Sequence, residues 1–154
     1  MDAVTYPDDE TQRFLAERVV AVKPQIDRHP ELAKRFGVAW TPGLVWLTPR
    51  GVPCHRNVGF FEPEELRAEC LLGCAHAAAA ESDWETAHER FRETARLFPE
   101  SHAAPAALYW AGVSAKKATG EAGALKALWK ELLVEHPGSA WAMKVSFLEN
   151  GGAS

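Results

Sequence analysis

The chain has 154 residues and a net charge of −4, with 47% hydrophobic and 25% charged residues, so it can bury the core of one ordinary domain or two small ones. Its lysines and arginines are scattered with no basic stripe, which argues against a nucleic-acid partner. No apolar run approaches the roughly 20 residues of a membrane helix, and the acidic start MDAVTYPDDE has no signal-peptide core, so the chain as written is expected in the cytoplasm with its three cysteines reduced.

After Pro7, Asp8 and Asp9 offer a cap for a helix from about Asp9 to Glu17, with Phe14, Leu15 and Val19 on one side. Val19–Val22 is apolar and β-branched, which predicts a buried strand. Pro24 then confines that strand to a sheet edge or ends it. Pro30 opens a second helix, ELAKRF, and Gly37 closes it. Two apolar runs follow, GLVWL and the stretch around Val58. Thr48-Pro49-Arg50-Gly51 joins them as a turn, so Val38–Phe60 reads as a β-hairpin entered through Thr41-Pro42. Beyond Gly59, Pro63 starts a helix with acids in its first turn, running to about Ala80.

Composition changes at Glu81-Ser82-Asp83, and the remainder reads as helix. Trp84, Ala87, Phe91 and Ala95 form one stripe, stopped at Phe98-Pro99. Ala104–Thr119 ends at Gly120. Leu125, Leu128, Trp129, Leu132 and Leu133 form a third stripe, stopped at His136-Pro137. Trp141, Val145 and Leu148 form a fourth, ending at Asn150-Gly151-Gly152. Pro99-Glu100-Ser101 and Pro137-Gly138-Ser139 echo each other 38 residues apart, an interval in the range of helical-hairpin repeats. An unrelated four-helix tail is the alternative. The domains expected are residues 1–80 and 81–150.

Chemistry-bearing residues are few. Cys70 and Cys74 lie one turn apart and read first as small core residues. Cys54 beside His55 suggests an activated thiol, but neighbours in a regular strand point to opposite faces. Cys70, Cys74 and His76 suggest metal only weakly, because His76 lies about 200° around the helix from Cys74. The histidines show no spacing pattern and read mostly as surface residues. Trp84, Trp110, Trp129 and Trp141 read as core. Trp40, beside Thr41-Pro42, fits either a substrate groove or the core.

The stretches ELAKRFGVAWTP, LVWLTPRG and NVGFFEPEELRAEC resemble, in order and spacing, the C-terminal part of the thioredoxin fold. MDAVTYPDDETQRFLAERVVAVKPQID is similar to the segment that follows W-C-x-x-C in thiol:disulfide interchange relatives. The second half resembles tetratricopeptide repeats at Trp84, Ala87, Phe91, Ala95 and Pro99. The resemblance implies an α/β fold: an incomplete thioredoxin-like sheet of about three strands with flanking helices, then an all-α tail. It implies that Pro42 is the cis-proline of the family and that Trp40, Thr41 and Pro42 border a groove for an extended, disulfide-bearing protein substrate, with no cofactor.

The family's thiolate chemistry needs a C-x-x-C at a helix N-terminus, and this sequence contains none. The resemblance also leaves out a central strand between Val19–Val22 and Gly43–Leu47. Three explanations fit: a start placed downstream of the true one, a degenerate paralogue, or a partner chain or second copy that supplies the strand. The first is preferred, since on that alignment Met1 falls just after the motif, and the compartment of a longer parent is then open. The expected function is a thioredoxin-family protein related to thiol–disulfide oxidoreductases, inactive as written. The alternative is a non-enzymatic module that binds a protein partner through its helical hairpins.

Overall fold

The computed structural model describes residues 1–150 and is mixed α/β, mostly helical, with one small antiparallel sheet. The elements in order are α1 (Asp9–Ala16), α2 (Pro30–Phe36), β1 (Gly43–Leu47), β2 (Pro53–Val58), α3 (Pro63–Ala80), α4 (Trp84–Leu97), α5 (Ala103–Thr119), α6 (Ala122–Glu135), α7 (Ala140–Met143) and α8 (Phe147–Asn150).

Local chemistry sets most of these ends. The Asp8 carboxylate accepts the Thr11 N–H at 2.8 Å and caps α1. Pro30 and Pro63 occupy first-turn positions of α2 and α3, where a missing N–H costs nothing. Gly37 stops α2 in the left-handed region (φ 62°), and the Val38 N–H closes on the Ala33 carbonyl at 2.8 Å. Gly51 (φ 76°) supplies the positive φ of the hairpin turn.

The helices from α3 onward share one core. Phe91, Leu108, Leu132 and Val145 are fully buried within it. Small residues let the helices approach. A side chain at Gly112 would meet the Trp129 ring about 3.0 Å away, and that indole donates to the Tyr109 carbonyl at 3.1 Å. The 38-residue echo is visible in the backbone. Phe98 (φ −131°, ψ 59°) and His136 (φ −133°, ψ 54°) end α4 and α6 in the same conformation, each ahead of a proline that excludes the helical region. His29 before Pro30 adopts it too (φ −134°, ψ 57°). All three make the same turn afterwards: Ser101 N–H to the Phe98 carbonyl (3.1 Å), Ser139 N–H to the His136 carbonyl (3.0 Å) and Leu32 N–H to the His29 carbonyl (3.0 Å), so the geometry belongs to the X-Pro step and is not particular to the two later loops.

Within the first 62 residues, the N-terminal turn, α1 and the hairpin lie against α3. The Thr5 and Thr11 hydroxyls donate to the Phe61 and Pro63 carbonyls, and Arg67 reaches the Asp8 carboxylate (3.3 Å) and Thr11 Oγ1 (3.1 Å). The hairpin seats Trp46 on Gly73, where an added Cβ would come within 2.2 Å of the indole. Phe36, Gly37 and Val38, at the end of α2, line a small cleft with Gly43–Val45 and Arg56–Val58.

Three expectations change. The predicted strand at Val19–Val22 is not a strand: the segment is irregular, with Val20 95% and Val22 80% exposed. A strand exists only when a neighbour accepts its ladder, and none runs beside it among the described residues. The sheet therefore has two strands, not about three. The fourth helical stripe is broken: Lys144–Ser146 form a turn between α7 and α8. Gly151 and Gly152, the predicted end of that stripe, lie outside the described residues.

Candidate functional site

Two places concentrate residues that can do more than pack. The first is the entry to β1. The Thr41–Pro42 peptide is cis, and the Pro42 carbonyl accepts the Gly59 N–H at 2.9 Å, which continues the hairpin ladder by one residue. The turn is tight: a Cβ at Gly43 would lie 3.0 Å from both the Trp40 carbonyl and Val38 Cγ1. Trp40 is 74% exposed, Thr41 is exposed and Pro42 is half-buried. Trp40 is therefore not a core residue. The outer edge of β1, which starts beside it, has no ladder partner among the described residues. The predicted groove residues thus form an open surface next to a free strand edge rather than a cavity.

The second place is the hairpin–α3 contact, at the other end of the hairpin. Glu69, Gly73 and His76 lie at i, i+4, i+7 on the face of α3 that receives the sheet. Trp46 covers Gly73. The His55 Nε2 lies 3.0 Å from the Glu69 carboxylate, whose side chain is only 5% exposed. The His55 ring stacks on His76 with centroids 4.7 Å apart, and His76 is held edge-on by Phe91 and Trp110. Burial lowers the His76 pKa to about 4, with the charge of His55 adding to the effect. His55 and His76 are thus half-buried and packed rather than free surface residues. Sequence reasoning missed this cluster. A glutamate inside the apolar run AECLLGCAH was the signal, since a carboxylate there needs a partner.

All three cysteines are free and belong to this second place, away from Thr41–Pro42. Strand register explains Cys54. Trp46 pairs with His55 and Leu47 with Pro53, so Cys54 is the extra residue of a β-bulge. A bulge suspends the alternation of faces, so Cys54 and His55 need not diverge as neighbours in a regular strand do. The Cys54 thiol donates to the Trp46 carbonyl at 3.3 Å, and burial raises its pKa. Cys70 is buried and Cys74 half-buried on α3. The hydrogen bond from Cys70 pulls the Cys74 thiol down to about 7, with Arg90 and Arg18 reinforcing it against burial. The same bond, then burial, pushes Cys70 up.

Among the described residues, no three His, Cys, Asp or Glu side chains converge as a metal set, and no helix is long and apolar enough to cross a membrane. Comparison with family models, curated proteins and solved structures finds no match to the chain.

Proposed function

We propose that residues 1–80 are the rear of a thioredoxin-like domain related to thiol–disulfide oxidoreductases, and that residues 81–150 are tetratricopeptide-like hairpins. The observation that carries this reading is the order α2, Gly37, Thr41-Pro42, β1, Gly turn, β2, Gly59, α3, with the outer edge of β1 open beside an exposed Trp40. An extended protein segment adds to such an edge through main-chain hydrogen bonds, and Trp40 offers its first side chain an aromatic contact. These residues bind and orient; they do not exchange thiols. The family's C-x-x-C is not among the 154 residues, so this chain by itself does not reduce disulfides by that route.

A second reading, a non-enzymatic interaction module, draws on an open groove of about 530 Å³ between the two equivalent loops, lined by Ser101, His102, His136, Ser139 and Trp141.

Grafting a strand and a W-C-x-x-C helix start ahead of Met1 tests the first reading in an insulin-reduction assay. The graft is expected to turn over in a thiol-dependent way, and the 154-residue chain to stay at the dithiothreitol background. A folded graft without turnover overturns the reading. So does turnover by the 154-residue chain that survives loss of Cys54, Cys70 and Cys74.

A further inference from the structure

We propose that Cys74 and Cys54 are a redox pair that takes a low-molecular-weight disulfide of the glutathione type as oxidant and closes a disulfide between α3 and β2. The proposal does not depend on the thioredoxin-like reading, since neither cysteine lies at the Thr41–Pro42 turn.

Packing brings the strand that carries Cys54 onto the helix that carries Cys74. Cys54 is anchored to the Trp46 carbonyl at 3.3 Å, and the ring of that same Trp46 sits on Gly73, next to Cys74 in sequence. The hairpin turn is tied farther along α3 by Arg50, which pairs with the Glu81 carboxylate at 2.5 Å. The start of β2 therefore runs beside the helix row Cys74–Ala77–Glu81. The bulge frees Cys54 from the alternation that would otherwise oppose it to His55. Both residues are partly exposed.

Roles follow from surroundings. Cys74 is the attacking thiol: the Arg90 guanidinium is 3.3 Å from its carbonyl, and Cys70, Arg90 and Arg18 all favour its thiolate. Cys70 is buried at 1% exposure and unreachable by an oxidant. It is also a poor resolving partner. Residues i and i+4 on a helix hold their Cβ atoms about 5–6 Å apart, whereas a relaxed disulfide needs about 3.8 Å. Cys54, on a different element, is free of that constraint.

The exchange balances in two steps. The Cys74 thiolate attacks one sulfur of the small disulfide; that S–S bond breaks, and one thiolate leaves and takes a proton from water. Cys54 loses its proton to water and attacks the Cys74 sulfur, expelling the second thiol. The protein loses two electrons and two protons, and the small disulfide becomes two thiols.

The test uses the folded 154-residue chain and oxidised glutathione at neutral pH, followed by peptide mass spectrometry. Iodoacetamide is expected to label Cys74 roughly tenfold faster than Cys54 or Cys70, following its thiolate fraction. Glutathione treatment is expected to yield linked Cys54–Cys74 peptides with Cys70 still a free thiol. Cys54→Ser is expected to stop at a glutathione adduct on Cys74, and Cys70→Ser to keep the link but form it more slowly. Circular dichroism of each variant separates loss of fold from loss of chemistry, and the wild-type product decides the matter without any variant. A Cys70–Cys74 link, a lasting glutathione adduct on wild-type Cys74, or preferential labelling of Cys54 overturns the proposal.

Discussion

The chain before α3 and the chain from α3 onward are held together by different means. Every hydrophobic residue in the buried core lies at Leu66 or beyond, whereas the buried residues ahead of it are three threonines, Thr5, Thr11 and Thr48. The later region is stabilised by apolar area removed from water, the dominant favourable term in folding. The earlier region has short elements and exposed valines, and it is fastened to α3 by hydroxyl–carbonyl bonds, by Arg67, by Trp46 on Gly73 and by the His55–Glu69 pair. The first region therefore depends on the second for its order, and the dependence does not run the other way.

The sharpest way to break that comparison is Phe91→Ala. Phe91 is fully buried at the centre of the helical core and also braces His76. A cavity there is expected to cost about 3–5 kcal/mol, read as a shift in the urea midpoint of the helices, with the hairpin losing its order no later than they do. If the hairpin kept its order after the helices had unfolded, the claimed dependence would be wrong.

Acid is expected to act next. His76 is held neutral in the fold, at about 4 against an ordinary 6.5. In this window the unfolded chain binds the proton that the folded chain refuses, so stability rises with pH between about 4 and 6.5 and falls on acidification. The full effect is about 3 kcal/mol. Equilibrium unfolding at several pH values measures it, and His76→Gln is expected to flatten the slope across that window.

The smallest effect is confined to one seam. Gly73→Ala places a Cβ against the Trp46 indole, so the ring must move. Overpacking of this kind costs about 1–3 kcal/mol. Hydrogen exchange is expected to speed up in β1 and β2 while α4 and α5 keep their protection. Equal loss of protection in both regions would mean that the hairpin and the helical core form one cooperative unit.

The helices and the hairpin turn were legible because their determinants are local. Pro30, Gly37, Pro63, Phe98-Pro99, Gly120 and His136-Pro137 act through φ restrictions and missing or unpaired backbone groups within one turn of chain. Binary pattern likewise marked Phe91 and Leu132 as interior. At the candidate sites, Trp40, Thr41 and Pro42 were identifiable by position, and Cys54, Cys70 and Cys74 by chemistry, but not how each faced its neighbours.

Tertiary structure alone decided the rest. Val19–Val22 has strand composition, yet a strand is a pairing between distant segments and this one has no partner among the described residues. The single-residue bulge at Cys54 is a property of the register between β1 and β2, which no window of one strand contains. Glu69, His55 and His76 meet only because β2 lies on α3 and α3 on α4 and α5. Short-range sterics and capping were written in neighbouring residues; burial, partnership and facing are relations between residues far apart in the chain, and they exist only once it has folded.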